Sequence, residues 1–106
     1  MRIWVDDEIR PPNYDDYYWV KNVDRAIYLI TYYEKRNINI EVISLDDEAG
    51  IFFWHSGDFI ELLKWLEKTG RNYPLHFHFQ DPYMKRRMLN IAKRNNWKIY
   101  DDLTLL

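Results

Sequence analysis

Three carboxylates follow an apolar run in IWVDDEIRPP at residues 3–12, and three more follow a second such run in VISLDDEAG at 42–50. Asp6, Asp7 and Glu8 make up the first group, and Asp46, Asp47 and Glu48 the second. Two unit charges about 4 Å apart repel by roughly 1 kcal/mol in water and about 4 kcal/mol at a protein surface. If the groups meet, some of these acids must take protons or share a cation. Hard oxygen donors on short loops suit Mg²⁺ or Mn²⁺, which keep several waters and bring phosphate oxygens to a site. Asp6, Asp7 and Asp46 are the expected ligands. Glu8 and Glu48 read more simply as solvated loop residues or caps.

His76 and His78 in HFHF lie on one face of their strand, because side chains alternate. His76 reads as a hydrogen-bonded core residue. His78 is nearer the carboxyl end, where it could pass a proton to the leaving oxygen of a phosphoester or donate to a bound phosphate. Asp81 reads first as a helix cap, and the helix it starts offers free N–H groups to phosphate. Arg10, beside the acidic pair, and Arg86 or Arg87, in a basic helix, are candidate phosphate contacts. The segment IFFWHSG at 51–57 is too apolar for an ordinary loop. It is either a plug on the sheet edge or a surface on which Phe53 and Trp54 act as a lid or partner contact. His55 within it reads as a loop residue.

These residues need a scaffold that brings positions 6, 46 and 78 together. The stretches RIWV at 2–5, YYWVK at 17–21, INIEVISL at 38–45, YPLHFHF at 73–79 and WKIY at 97–100 read as strands. Between them, Asn22 caps a helix whose Val23, Ala26, Ile27, Ile30 and Tyr33 share a face. A second helix starts near Asp58 with Glu61 as a capping box, carries Phe59, Leu62, Leu63 and Leu66 inward, and ends near Gly70. A third starts at Asp81–Pro82, with Met84, Met88, Ile91 and Ala92 on one side. Strands alternating with helices predict a parallel sheet covered on both faces, with sites outside the carboxyl ends of the strands. In a 2-1-3-4-5 order, strands one and three are neighbours and the two acidic groups converge.

The chain has 106 residues, 47% of them hydrophobic, and reads as a single domain spanning 1–106. It has no cysteine, which removes disulfides, thiolate metal sites and cysteine nucleophiles. A net charge of −2 gives no general field for nucleic acid, so phosphate recognition needs a local patch. No run approaches the roughly 18 apolar residues of a membrane span and no signal pattern opens the chain, so a soluble cytoplasmic protein without a membrane partner is expected. The glycine-rich phosphate loops G-x-x-x-x-G-K-[ST] and G-x-G-x-x-G are absent. The DxDx[TV] run of haloacid-dehalogenase phosphatases is absent too, and a Toprim-like acid pattern fits poorly.

WVDDE after the first strand and SLDD after the third resemble the receiver domain of response regulators. There, an acidic pair holds Mg²⁺ and an aspartate ending the third strand is phosphorylated. Four segments, MRIWVDDEIRPP, YYWVKNVDRAI, EVISLDDEAG and GDFIELLKWLE, resemble more closely a divergent branch, the cyclic-phosphate processing receiver-like domain. The resemblance implies a three-layer receiver-like (flavodoxin-like) α/β fold. Its first helix is replaced by a loop containing Pro11 and Pro12, and its fifth helix is absent, which leaves a sheet face for a possible homodimer. It implies Asp6 and Asp7 as the metal pair and Asp46 facing the metal, and it sets His78 and Asp81 opposite the family's His and Asn. The implied activity is metal-dependent binding or processing of a phosphoester, a cyclic phosphate on an RNA end or a nucleotide, with Asp46 and His78 as the catalytic candidates.

The departures carry information too. Phe79 stands where a receiver has Ser or Thr, Lys98 comes too early for the receiver lysine, and the family's Asp-His-Asp reads Asp46-Asp47-Glu48. Phosphoacceptor signalling is therefore disfavoured. A non-catalytic binding module using the aromatic 51–57 surface is the alternative from another class.

Overall fold

A computed structural model describes residues 1–12, 16–47 and 57–103. The elements run β1 (Arg2–Val5), β2 (Tyr17–Val20), α1 (Val23–Lys35), β3 (Val42–Leu45), α2 (Ile60–Lys68), β4 (Leu75–Phe77) and α3 (Pro82–Arg94). The strands form one parallel sheet in the order β2-β1-β3-β4. In register, Val5 lies beside Val20 and Leu45, and Leu45 beside Phe77.

Alternation divides each strand between two faces. Ile3, Val5, Val20, Ile43, Leu45, Leu75 and Phe77 join one core cluster with Ala26 and Ile30 of α1, Leu62, Leu63 and Leu66 of α2, and Met88, Ile91 and Ala92 of α3. All three helices therefore pack on the same face. The handedness of the crossovers explains why: β2 to β3, β3 to β4 and the exit through α3 all step the same way along the sheet, so right-handed connections put their helices on one side. Only β1 to β2 steps the other way, and that crossover falls in the proline-containing loop. The receiver-like α/β class holds, but the helices of the described residues make one layer where three layers in all were expected. On the opposite face Trp4, Val42 and Ser44 are buried outside that cluster. The loop after β1 lies over part of it, with the Trp4 indole donating to the Ile9 carbonyl at 2.8 Å and Pro11 buried.

All three helices close in the same way. After α1, Asn37 takes φ 56°. Its N–H donates to Glu34 O, and Ile38 N donates to Tyr33 O. Gly70 and Asn96, with φ of 70° and 56°, close α2 and α3 through the equivalent bond pairs. This is the left-handed cap that Gly and Asn adopt most easily. It corrects two expected boundaries. β3 begins at Val42 rather than residue 38, because residues 36–38 are used in leaving α1. The fifth strand shrinks to one bridge, Leu75 to Ile99, because the α3 cap runs through to a buried Trp97 and β4 offers only three residues. The expected Asp58–Glu61 capping box shifts as well: α2 starts at Ile60, so the cap position falls to Phe59, which makes no side-chain cap bond. Asn22 and Asp81 cap α1 and α3 through Arg25 N and Tyr83 N. No helix among the described residues is long and apolar enough to cross a membrane.

Candidate functional site

The ladder continues one step beyond the carboxyl ends of three strands. Asp6 N donates to Val20 O at 3.1 Å, Asp46 N to Val5 O at 2.9 Å, and His78 N to Leu45 O at 3.0 Å. Asp6, Asp46 and His78 thus form the next register row, with neighbours about one strand spacing apart, ~4.8 Å. Each also follows the face of its strand that no helix among the described residues covers. Their ligand-type atoms lie within 4.8 Å of one another, the one such group of three or more among the described residues.

Asp6 is fully buried, yet its carboxyl favours the charged form. Its Oδ1 accepts from the amides of Glu8 and Ile9, each at 2.9 Å, and its Oδ2 lies 2.9 Å from His78 Nε2. Burial alone would raise this carboxyl, but the His78 hydrogen bond and the two amides outweigh it and leave it below the ordinary value. The same Asx turn bends the chain away from β1, which is why Asp7 is not in the three-residue cluster. The Asp7 carboxyl is raised, first by burial and then by the neighbouring Asp6 and Glu8 charges, with its own backbone opposing.

Asp46 behaves differently. Burial pushes its carboxyl up to about 7; the Asp47 side chain and the Asp6 charge add to the rise, while the Asp47 amide, donating to Oδ1 at 2.8 Å, opposes it. The row therefore holds one secured anion and one carboxyl that is easily protonated. Burial is the chief cause of that difference, and the neighbouring Asp47 and Asp6 carboxyls add to it.

His78 is held on three sides. The Trp4 indole stacks on its ring at 3.8 Å between centroids and 5° between planes. Nε2 faces Asp6, and Nδ1 lies 2.8 Å from Ser44 Oγ. Ser44 Oγ also lies 2.8 Å from His76 Nδ1. His76 does have the hydrogen bond expected of it, and burial first, then His78 and Lys85, hold it below the ordinary value. Ser44 was not singled out from the sequence. The available signal was a hydroxyl within the apolar run VISL, on the same face as Asp46 and facing a strand with two histidines.

The other candidates lie outside this row. Asp81 is exposed and accepts from Tyr83 N at 3.0 Å, the cap role that was favoured for it. Arg10 and Arg86 are exposed. Arg87 lies over the Tyr83 ring at 5.8 Å. Phe79 is buried against Phe77, so the position where a receiver has Ser or Thr faces apolar surroundings. Lys98 Nζ sits 4.6 Å over the Tyr100 ring. Glu48, Phe53, Trp54 and His55 lie outside the described residues.

The donor set can accommodate a divalent cation. Oδ2 of Asp6 keeps one lone pair after the His78 contact, and Asp46 needs a positive charge to lose its proton readily. Two carboxylates and an imidazole suit Mn²⁺ if His78 gives up its contact with Asp6 to free Nε2. They suit Mg²⁺ if His78 stays hydrogen-bonded to Asp6 and leaves coordination to oxygen. The family model for the cyclic-phosphate processing receiver domain matches residues 1–94. No curated protein matches the chain. No solved structure matches it either.

Proposed function

From the chain's membership of the cyclic-phosphate processing receiver domain family, we propose that it binds or processes a phosphoester at the Asp6–Asp46–His78 row with the help of a divalent cation. A cyclic phosphate on an RNA end or a nucleotide is the substrate class. One observation carries the reading: three strands end in the same register row with two carboxylates and an imidazole within 4.8 Å. Asp6 and Asp46 would hold Mg²⁺ or Mn²⁺, with Asp7 available from the adjoining turn. When bound, such an ion polarises the phosphoryl oxygens and neutralises developing charge.

The chain's own groups have separate tasks. Asp6, fixed by two amides and a histidine, supplies permanent negative charge. Asp46, next to Asp6 in the row, is the carboxylate placed to accept the proton of an attacking water as the water oxygen bonds to phosphorus. His78, as imidazolium, donates its Nε2 proton to the sugar oxygen as the ring P–O bond breaks, giving a phosphomonoester and a neutral imidazole. Trp4 keeps the imidazole in the plane this transfer needs. Arg10 and Arg86 are candidate outer contacts to phosphate.

Calorimetric titration of the wild type and Asp46→Asn with Mg²⁺ and Mn²⁺ tests the reading. Binding by the wild type that is lost in the variant supports it, and hydrolysis of a 2′,3′-cyclic nucleotide is then the assay for turnover. No heat of binding at millimolar metal in either protein would end it.

A further inference from the structure

We propose that Ser44 and His76 are positioning residues for His78: the one Ser44 hydroxyl, shared between two imidazole Nδ1 atoms, locks the two histidines into opposite tautomers. The inference rests on the reading above only in treating His78 as the reactive group.

Ser44 is fully buried in the central strand β3. A buried hydroxyl without a partner is costly, and this one lies 2.8 Å from each of two ring nitrogens. It has a single proton. It can therefore donate to one Nδ1, and must accept from a protonated Nδ1 on the other ring if both contacts are to be hydrogen bonds. Two arrangements of the neutral rings satisfy this. In the first, His76 Nδ1–H donates to Ser44, Ser44 donates to His78 Nδ1, and His78 carries its proton on Nε2. In the second, every bond reverses, His78 Nε2 is bare and His76 carries its proton on Nε2.

Asp6 chooses between them. The Glu8 and Ile9 amides donating to Oδ1 favour its carboxylate form, so Oδ2, 2.9 Å from His78 Nε2, accepts only. The first arrangement gives it a donor, and the second sets two lone pairs against each other. His78 is thereby held with Nε2–H at the acidic row, the form that donates a hydrogen bond to a carboxylate or phosphate oxygen. His76 is forced into the Nδ1–H tautomer, the less common form of a free histidine side chain. Conversion between the arrangements moves the His76 Nδ1 proton to Ser44 and the Ser44 proton to His78, while solvent takes one proton from His78 Nε2 and gives one to His76 Nε2. The total number of protons is unchanged, so this is a switch of position rather than of charge.

Long-range ¹H–¹⁵N correlation spectra of metal-free, ¹⁵N-histidine-labelled protein at pH 8 test the proposal. The expected result is opposite tautomers, Nδ1–H at His76 and Nε2–H at His78. In Ser44→Ala, His76 should lose its enforced Nδ1–H form, and Ser44→Thr, which keeps the hydroxyl, should restore it. The wild-type spectrum decides the matter even if a variant fails to fold, because finding both rings in the same tautomer overturns the interlock. No metal or substrate is present, so failure of the cation titration leaves this result untouched, and failure here leaves that one untouched.

Discussion

Replacing Asp46 by Asn should make the metal-free protein more stable above neutral pH, and the gain should vanish in acid. The Asp46 carboxyl moves from an ordinary 3.8 to about 7 on folding, chiefly through burial. Below pH 3.8 it is protonated in both states and contributes nothing. Between 3.8 and 7 the folded form keeps the proton that the unfolded form releases, so stability falls as pH rises. Above 7 the penalty is complete. At 1.36 kcal/mol per pH unit, it has a ceiling of about 4 kcal/mol. Asp46 is only partly buried, and solvent screening brings the figure to about 2 kcal/mol.

Asn keeps an oxygen for the Asp47 amide and carries no charge at any pH. Urea denaturation of both proteins in chelator, at pH 4 and pH 8, reads the effect. The variant should gain about 2 kcal/mol on the wild type between the two conditions, or about 8 °C in melting temperature. Taking the difference cancels the other titrating groups. Stability curves that stay parallel from pH 4 to 8 would refute the account of Asp46 as a carboxyl that folding penalises by burial beside other acids. A cation should then reverse the order at pH 8: metal at a hundred times its dissociation constant adds about 2.7 kcal/mol to the wild type and little to the variant.

Two further predictions concern the scaffold. Leu63, fully buried beneath the sheet, should cost about 2–5 kcal/mol when changed to Ala, read as a lower urea midpoint with the slope unchanged. Glu34 accepts three bonds from Arg71, at 2.9, 3.0 and 3.3 Å, and one from the Tyr73 hydroxyl. The Arg71 bond first, with burial opposing and Tyr73 assisting, holds its carboxyl below 4.5, so its contribution is present above that value and fades as pH falls through the folded value. Glu34→Gln should cost about 1 kcal/mol at pH 7 and progressively less below pH 4, followed by the same denaturation.

Much of this was legible in the chain because parallel strands read directly. Apolar runs ending in acid marked β1 and β3, and a 2-1-3-4 order then obliged Asp6 and Asp46 to be neighbours. What was not legible depends on events between elements. Asn37 and Asn96 do not announce a left-handed cap as glycine does, so the start of β3 and the extent of the last strand were read too generously. The single helical layer follows from the direction of each crossover, which strand and helix patterns do not contain. Asp7 dropped out of the cluster because Asp6 turns the chain with its own side chain, a local bond with no periodic signature. Ser44 was missed because one small polar residue in an apolar strand carries no meaning until its neighbours across the sheet are known.

The division of the sheet into two faces explains how so short a chain supports a polar site at all. Ile43 and Leu45 point into the helical layer, while Ser44 between them and Asp46 after them belong to the opposite face. The apolar set supplies the burial that holds the strands in register, and register alone places Asp6, Asp46 and His78 side by side. The polar set need not contribute stability, and Asp46 opposes it. A helix in the β1 to β2 crossover would cover this face with side chains. The proline-containing loop instead leaves the strand ends to a turn whose amides secure Asp6. The crossover with no α-helix among its described residues is thus the one beside the acidic row, and the Asp6 turn takes the place that a helix would have over these strand ends.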